Sequence, residues 1–413
     1  MGQLTFRAAV SPLRRRFPDK RAKNLSVASL VAKERPEIPL HCLRPKVVAG
    51  AAERFVHAFP GDVLYAVKCN PDPRILRALW RGGIRHFDCA SPAEVSLVRQ
   101  MFPAAFIHFM HPIKSRPAIR EAFFNYGVSS FALDSRPELE KILNTTQASS
   151  AKQRRPRLDL FVRLSVGKTG AVHDLSGKFG ASISETAELL AAARPFAVRL
   201  GVCFHVGSQC TDPHAYRLAL QIAQDAIARS GVRVDIIDVG GGFPATYVNS
   251  SPPPLDAFFA AIKAEMALGD QLSNTTLWAE PGRALVADGV SLVVQVLARK
   301  GDDLYINDGV FGSLFDAGRP DLHFPARLIC AENREPTSTL RAYRFFGPTC
   351  DSLDRMDGPF YLPDDVCEGD WIEIGQIGAY GSALRTAFNG FDRARVVEVN
   401  SPPFFESQLR PTA

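Results

Sequence analysis

Eight short β-prone runs, separated by helical stretches, extend from residue 63 to residue 280 and limit the folds open to this chain. Several helical stretches open with Ser, Asp or Pro and close at Gly, as helix ends do. Strands that alternate with helices indicate a parallel sheet, and eight such units predict a closed (β/α)8 barrel, with an open doubly wound sheet as the alternative. The predicted strands are VLYAV (63–67), IRHFD (84–88), AFIHF (105–109), SSFALD (129–134), DLFVRL (159–164), RLGVCFHV (199–206), VDIIDV (234–239) and TLWAE (276–280).

Polar side chains occur where several of these predicted strands end. Lys68 follows the first strand, Asp88 ends the second, and Glu280 ends the eighth. Because active sites of (β/α)8 barrels lie at the carboxyl ends of the strands, we expect these residues to meet at one mouth of the barrel. The other candidates at strand ends are Arg163 near the end of the fifth strand, His205 on the sixth, and Gly240, Gly241 and Gly242 after the seventh.

The pattern changes after residue 284, where β-like runs follow one another without helical segments between them. This change predicts a second, all-β domain. We therefore divide the chain into a barrel domain at 39–283 and a β-sandwich or β-barrel domain at 284–413, to which the N-terminal segment 1–38 is added.

The net charge of +6 comes from the N-terminal segment, where residues 1–35 hold nine Lys and Arg against two Asp and Glu. We interpret this segment as a solvated terminal arm and expect no nucleic acid or membrane partner, although an organelle presequence stays open. The chain has neither an apolar signal core in that segment nor a run long enough to span a bilayer, which favours a cytoplasmic protein. Eight scattered cysteines form no zinc-binding spacing, and no metal site is predicted.

The residues at the strand ends suit one cofactor, pyridoxal 5'-phosphate. Lys68 would bind it covalently, and Glu280 would pair with its ring nitrogen. The glycines of DVGGGFP (238–244) and Arg283 of AEPGR (279–283) would bind its phosphate, because glycine lets backbone N–H groups approach an anion. A barrel enzyme for a phosphorylated sugar is an alternative, since glycines after the seventh strand would serve it equally well.

Nine motifs extend this pattern through the chain, in order, from about residue 40 to residue 395. Their joint occurrence resembles the ornithine decarboxylase group of the fold-type III pyridoxal-phosphate decarboxylases. The motifs are YAVKCN (65–70), FDCAS (87–91), KFGA (178–181), HVGSQCTDP (205–213), DVGGGFP, AEPGRALVA (279–287), NDGVFGS (307–313), GPTCDSLD (347–354) and GAYGSALRTAFNGF (378–391).

The resemblance implies a role for each matching residue. Lys68 would carry the cofactor, Glu280 would keep its ring nitrogen protonated, and His205 would stack on its ring. Asp88, Glu94 and Arg163 match residues that position the lysine and its surroundings. The phosphate contacts would come from Ser208, Gly240, Gly241, Gly242, Gly282, Arg283 and Tyr380.

The resemblance also implies a homodimer whose active sites are shared between subunits. Cys350 and Asp351 would reach the partner's site, where Cys350 returns a proton after carbon dioxide has left. Asp316 and Asp351 would bind a distal ammonium of the substrate, with Phe315 beside them where the family often has tyrosine.

Two carboxylates facing one cation favour a diamino acid as the substrate. The expected activity is decarboxylation of L-ornithine to putrescine, a step of polyamine biosynthesis, with L-lysine to cadaverine as a second activity. Asp351 after the cysteine favours these substrates over diaminopimelate, whose decarboxylases typically have Glu there. Decarboxylation of another diamino acid and a non-catalytic homologue that binds a regulator are the alternatives.

Overall fold

The first domain of the computed structural model is a closed barrel of eight parallel strands, β2 to β9. The structure describes residues 26–147, 157–167, 171, 177–272, 274–331 and 334–405. All eight predicted strands and the predicted barrel are confirmed, with differences of a few residues at the strand ends. The barrel strands are β2 (Asp62–Ala66), β3 (His86–Cys89), β4 (Phe106–Phe109), β5 (Ser130–Leu133), β6 (Leu158–Arg163), β7 (Ala197–Cys203), β8 (Ile236–Asp238) and β9 (Thr276–Ala279).

The helices around the barrel begin where short polar side chains can accept hydrogen bonds from free backbone N–H groups. Ser182 and Glu185 form a capping box, and Asp72 accepts from Arg74 N before a proline at the first helical position. The helices are α1 (Val27–Glu34), α2 (Pro45–Ala58), α3 (Pro73–Arg81), α4 (Pro92–Met101), α5 (Arg116–Arg120), α6 (Arg136–Thr145), α7 (Ile183–Ala193), α8 (His214–Ser230), α9 (Leu255–Leu268) and α10 (Arg283–Val286). None of the described helices is long and apolar enough to cross a membrane.

The barrel interior is packed with side chains and leaves no pore. The rings of Phe161 and Trp278 stack with centroids 5.0 Å apart. This apolar plug is formed by residues of the barrel strands and by one residue that follows β4. The plug consists of Leu64, Met110, Ala132, Phe161, Cys203, Ile236 and Trp278.

The second domain is built on a mixed sheet of eight strands. The strand at Leu40–Leu43 pairs antiparallel with the first strand after the barrel and parallel with the last strand of the chain. The sheet strands are β1 (Leu40–Leu43), β10 (Val290–Lys300), β11 (Asp303–Ile306), β12 (Ala326–Ile329), β13 (Leu340–Phe346), β14 (Arg355–Pro363), β15 (Trp371–Ile374) and β16 (Arg395–Glu398).

The pairing of β1 places the start of the barrel later than the predicted limit of 39. Four residues beyond that limit belong to the second sheet, because their backbone groups are bonded to β10 and β16. The strand β1 (Leu40–Leu43) is therefore part of the second sheet. The basic residues predicted to form a terminal arm, from Arg14 to Lys23, lie outside the described residues.

A buried histidine in the second domain makes stability depend on pH. His41 is buried, and its Nε2 lies 3.0 Å from Ser313 Oγ. Burial lowers the pKa of His41 to about 4; the charge of Asp308 opposes this, and that of Arg385 assists it. The folded state therefore holds His41 neutral, whereas the unfolded chain binds a proton near pH 6.5.

We expect His41 to stabilise the fold fully above pH 6.5 and progressively less as the pH falls toward 4. At pH 5 the loss is about 2 kcal/mol, because each pH unit corresponds to roughly 1.4 kcal/mol. Urea unfolding at pH 7.5 and pH 5 would measure this loss as a difference in the free energy of unfolding. His41→Gln should reduce the difference between the two pH values by that amount, and exposed His214→Gln should not. An equal pH dependence in wild type and His41→Gln would contradict this reading.

Candidate active site

A cavity lies at the carboxyl ends of the barrel strands. It is where the sequence placed the site, and both domains contribute to its wall. Its lining residues are Ala66, Lys68, His205, Ser208, Gly241, Gly242, Phe243, Glu280, Gly282, Arg283 and Tyr380.

Lys68 enters this cavity because β2 ends at Ala66 and continues as one 3-10 turn, Val67–Cys69. Its Nζ donates to Asp88 Oδ2 at 3.0 Å, and the lysine side chain is 44% exposed while Asp88 is buried. Burial favours the neutral amine, but the charges of Asp88 and Glu280 outweigh it and raise the pKa of Lys68. The hydrogen bond to Asp88 thus orients the Lys68 ammonium in the cavity and favours its charged form.

Glu280 follows β9 and is buried against the cavity. Burial raises the pKa of its carboxyl, and the neighbouring charges of Asp238 and Asp88 raise it further. Its Oε1 has no hydrogen-bond partner among the described residues. A buried carboxyl oxygen with no partner is costly, so the site requires a donor from a ligand.

The glycines after β8 make room for a ligand. Gly240 and Gly242 have φ of 69° and 105°, a left-handed conformation that favours glycine. A Cβ at Gly241 would lie 2.8 Å from the carbonyl oxygen of Glu280 and 3.0 Å from His205 Nε2. Gly282 is equally close-packed, because a Cβ there would lie 2.9 Å from Cys69 Cβ.

We expect Gly241→Ala to weaken binding of pyridoxal phosphate by about tenfold or more, because the added methyl displaces both Glu280 and His205. Titration of the apoprotein, followed by absorbance and intrinsic fluorescence, measures the Kd. Gly50→Ala on α2 is the matched control, since its methyl meets only the end of the Arg54 side chain at 3.4 Å. An unchanged Kd for Gly241→Ala would mean that this backbone does not contact the ligand.

Arg283 supplies a buried positive charge at the first position of α10. Its Nη1 donates to Tyr247 Oη at 2.7 Å, and its Nη2 donates to Asp316 Oδ2 at 2.8 Å and lies 3.5 Å from Ser208 Oγ. Burial disfavours the guanidinium charge, but Tyr247 and Asp316 outweigh burial and raise the pKa. Its Nε has no partner among the described residues, so one donor is left for an anion.

His205 lies in the cavity wall as a neutral ring. Its Nδ1 accepts from Gly207 N at 2.9 Å. Burial lowers the pKa of His205 well below its usual value, and the charges of Arg163 and Lys68 assist. A flat, uncharged ring in this position suits stacking against an aromatic ligand.

Three predicted residues lie behind the cavity wall rather than in it. Asp88 holds Lys68, while Glu94 accepts from Ala90 N at 2.7 Å and so shapes the loop after β3. Burial raises the pKa of Glu94, and Asp88 adds to the effect. Arg163, the last residue of β6, acts on Glu280 and His205 through its charge.

Tyr380 closes the cavity from the second domain. Its N–H donates to Cys69 O at 2.9 Å, and its ring lies 5.2 Å from the Arg283 guanidinium carbon. Asn70 Nδ2 donates to Gly378 O at 2.8 Å nearby. The segment that carries Lys68 is therefore bonded directly to the second domain.

The residues predicted to bind substrate are divided between two places. Asp316 is buried and bonded to Arg283, at the edge of the cavity, and Phe315 beside it is half exposed. Cys350 and Asp351 lie in the loop between β13 and β14 and do not line the cavity. The Cys350 thiol is exposed on the surface of the chain.

Sequence reasoning missed two residues that support the site. Tyr247 bonds Arg283, but it lies in an irregular loop and carries no charge, so no pattern marked it. Asp238 is fully buried, and its Oδ1 accepts from Gly240 N at 2.8 Å. Burial raises the pKa of Asp238 to about 6. An acid at a strand end, two residues before the first of three glycines, was a signal that could have been used.

The cavity fits pyridoxal phosphate on three observations. Lys68 provides an amine, Glu280 provides an oxygen that lacks a donor, and Arg283 lines the cavity together with the glycines and Ser208. The chain also matches a family model at residues 46–287, described as the pyridoxal-dependent decarboxylase, pyridoxal binding domain. The chain belongs to the pyridoxal-dependent decarboxylases. It is therefore an enzyme that uses pyridoxal phosphate to remove carbon dioxide from an amino acid.

Similar proteins come from several branches of this family. Ornithine decarboxylase of Schizosaccharomyces pombe is 34% identical, covering 82% of this chain and 77% of that protein. Antizyme inhibitor 2 of Xenopus laevis is 32% identical, covering 83% of this chain and 77% of that protein.

Two solved structures share the fold and most of its length. Lysine/ornithine decarboxylase of Vibrio vulnificus, complexed with putrescine, is 31% identical, covers 91% of this chain and 99% of that one, and has a TM-score of 0.75. Arginine decarboxylase of Paramecium bursaria Chlorella virus is 26% identical, covers 90% of this chain and 99% of that one, and has a TM-score of 0.78.

Proposed function

We propose that this protein decarboxylates L-ornithine to putrescine and carbon dioxide, and that L-lysine is a second substrate. The observation that carries the proposal is the placement of Lys68 and Glu280 in one cavity, beside the anion-binding edge of Arg283. The relatives named for ornithine and lysine support the same substrate class.

Pyridoxal phosphate, when bound, supplies a ring that accepts the electron pair left behind by carbon dioxide. Lys68, whose Nζ donates to Asp88 at 3.0 Å, would bind this ring. Glu280 would accept from the protonated ring nitrogen through its unpartnered Oε1, and His205 would pack against the ring. Ser208, Arg283, Tyr380 and the glycines 240–242 and 282 would hold the phosphate.

Selectivity for a terminal amine rests on Asp316 and Asp351. Asp316 is buried at the cavity edge, where a carboxylate attracts a substrate cation more strongly than it would in water. Asp316 is already paired with Arg283, and a distal ammonium would add a second favourable charge interaction that a neutral side chain cannot make. Phe315 is placed to contact the methylene groups of the substrate.

We also propose a homodimer in which Cys350 serves the partner's cavity. The thiol is exposed and does not line the cavity of its own chain. Exposed apolar side chains lie in the same loop and in the last motif: Leu353 is 73% exposed, and Phe388 and Phe391 are more than 40% exposed. A surface of this kind is typical of an interface. Light scattering should give a mass of two chains, and a stable monomer with full activity would contradict the dimer.

A carbon dioxide release assay with ornithine, lysine, arginine and diaminopimelate tests the substrate. We expect ornithine to have the highest kcat/KM, lysine to follow, and the other two to be at least about 100-fold poorer. Preference for arginine or diaminopimelate would replace the proposed substrate. Binding of pyridoxal phosphate without release from any of the four would favour a regulator-binding homologue, the alternative raised by the similarity to antizyme inhibitor 2.

A further inference from the structure

Arg283 is held by two partners of different charge. Tyr247 accepts from Nη1 at 2.7 Å and is a neutral phenol. Asp316 accepts from Nη2 at 2.8 Å, and both members of this ion pair are almost fully buried. Among the described residues, Asp316 is therefore the one carboxylate that is bonded to the guanidinium.

The carboxylate occupies the edge of Arg283 that faces the phosphate-binding residues. Nη2, which bonds Asp316, also lies 3.5 Å from Ser208 Oγ, and Ser208 lines the cavity together with Arg283. Nε, a further donor of Arg283, is buried without a partner among the described residues. A phosphate in the cavity would thus approach a cation whose charge is already shared with a neighbouring carboxylate.

We propose that Asp316 is the counter-ion that limits how tightly Arg283 holds the phosphate end of a ligand. The inference rests on the proposed assignment of Arg283 to the phosphate. A dianionic phosphate bound by Arg283 would be repelled by this carboxylate, because like charges interact strongly where water is excluded. Asp316→Asn removes the charge and therefore the repulsion, although its amide oxygen can still accept from Nη2, so phosphate binding becomes tighter.

This arrangement is consistent with the role of Asp316 toward the substrate. Once a phosphate shares the charge of Arg283, less of that charge neutralises Asp316, and the carboxylate can attract a second cation. The distal ammonium of a diamino acid is such a cation. Asp316 would therefore link the phosphate end of the cavity to the amine end, and each end would favour occupation of the other.

Isothermal titration with two ligands that cannot react with Lys68 tests the proposal. Pyridoxine 5'-phosphate carries the phosphate, and pyridoxine is the same ring without it. We expect Asp316→Asn to bind pyridoxine 5'-phosphate about tenfold more tightly than wild type, with pyridoxine changed less than twofold. Tyr247→Phe is the matched control, since it removes a hydrogen bond from Arg283 but no charge; its affinity should not rise more than threefold.

Three outcomes would overturn the proposal. The first is that Asp316→Asn binds the phosphate ligand no more tightly than wild type. The second is that its affinity for pyridoxine rises by the same factor as its affinity for the phosphate ligand. The third is that the affinity of Tyr247→Phe for the phosphate ligand rises as much as that of Asp316→Asn. Should Asp316→Asn lack the circular dichroism spectrum of the wild type, Asp316→Ser removes the same charge and is judged by the same criteria. Carbon dioxide release is not measured here, so failure of the proposed substrate would leave this result unaffected.

Discussion

Lys68→Ala should lower kcat by a factor of roughly 10³ or more and abolish the visible absorbance of the covalently bound cofactor. The physical reason is that Lys68 lines the cavity and is bonded to Asp88, which makes it the amine placed to bind the ring. Absorbance spectra of the purified protein and single-turnover carbon dioxide release measure the two effects separately. The buried neighbours that hold the ring and phosphate remain, so the variant should still bind pyridoxal phosphate noncovalently.

The matched control for this variant is Lys263→Ala, which removes an exposed lysine from α9. It should keep both the absorbance and the rate of the wild type. A visible absorbance that survives in Lys68→Ala but disappears with another lysine would move the covalent site elsewhere. Unchanged turnover by Lys68→Ala would remove the basis of the proposed mechanism.

The barrel could be predicted from the sequence because short segments of the chain are enough to identify its strands and helices. Buried parallel strands are continuous apolar runs, and each run here is bounded by polar or glycine residues that also mark the helix ends. The same locality placed Lys68, His205 and Glu280 at one mouth, since residues that follow parallel strands lie at the same end.

The remaining features depend on contacts between distant parts of the chain. The pair of Arg283 and Asp316 joins residues 33 positions apart, and the bond from Tyr380 to Cys69 crosses between domains. The same holds for β1, which pairs with strands about 250 and 355 positions away. A local sequence pattern does not indicate such distant pairings. Sequence reasoning therefore assigned β1 to the barrel domain and predicted for Asp316 only a contact with the substrate.

The charges of the cavity explain why so many acids can be buried there. Asp238 and Glu280 are both buried, which raises the pKa of each, and the charge of Asp88 raises both pKa values further. Lys68 and Arg163 offset that cost. A proton can therefore be held at Glu280 or at Asp238 with little change in total charge, which suits a site that must keep a ring nitrogen protonated near neutral pH.

Cys350→Ala should lower formation of the amine product by about 10²-fold, because a general acid contributes that much or more. Carbon dioxide would still leave, but the carbon that lost it would no longer receive its proton from the thiol. Protonation on the cofactor side instead would yield an aldehyde and the amine form of the cofactor. Chromatography of amine and aldehyde products, with loss of activity during turnover, measures this change. Cys367→Ala, which removes another exposed thiol of the second domain, is the control.

The same variant tests whether the thiol acts across subunits. Lys68→Ala and Cys350→Ala each disable a different part of the site. If Cys350 acts in the partner's cavity, a mixed dimer holds one site with both residues intact. After random exchange of subunits, half of the dimers are mixed and each has one working site, which predicts recovery of about a quarter of wild-type activity. If Cys350 acted within its own chain, every site would lack one residue and the mixture would stay inactive. Recovery of activity on mixing therefore distinguishes a shared site from a self-contained one.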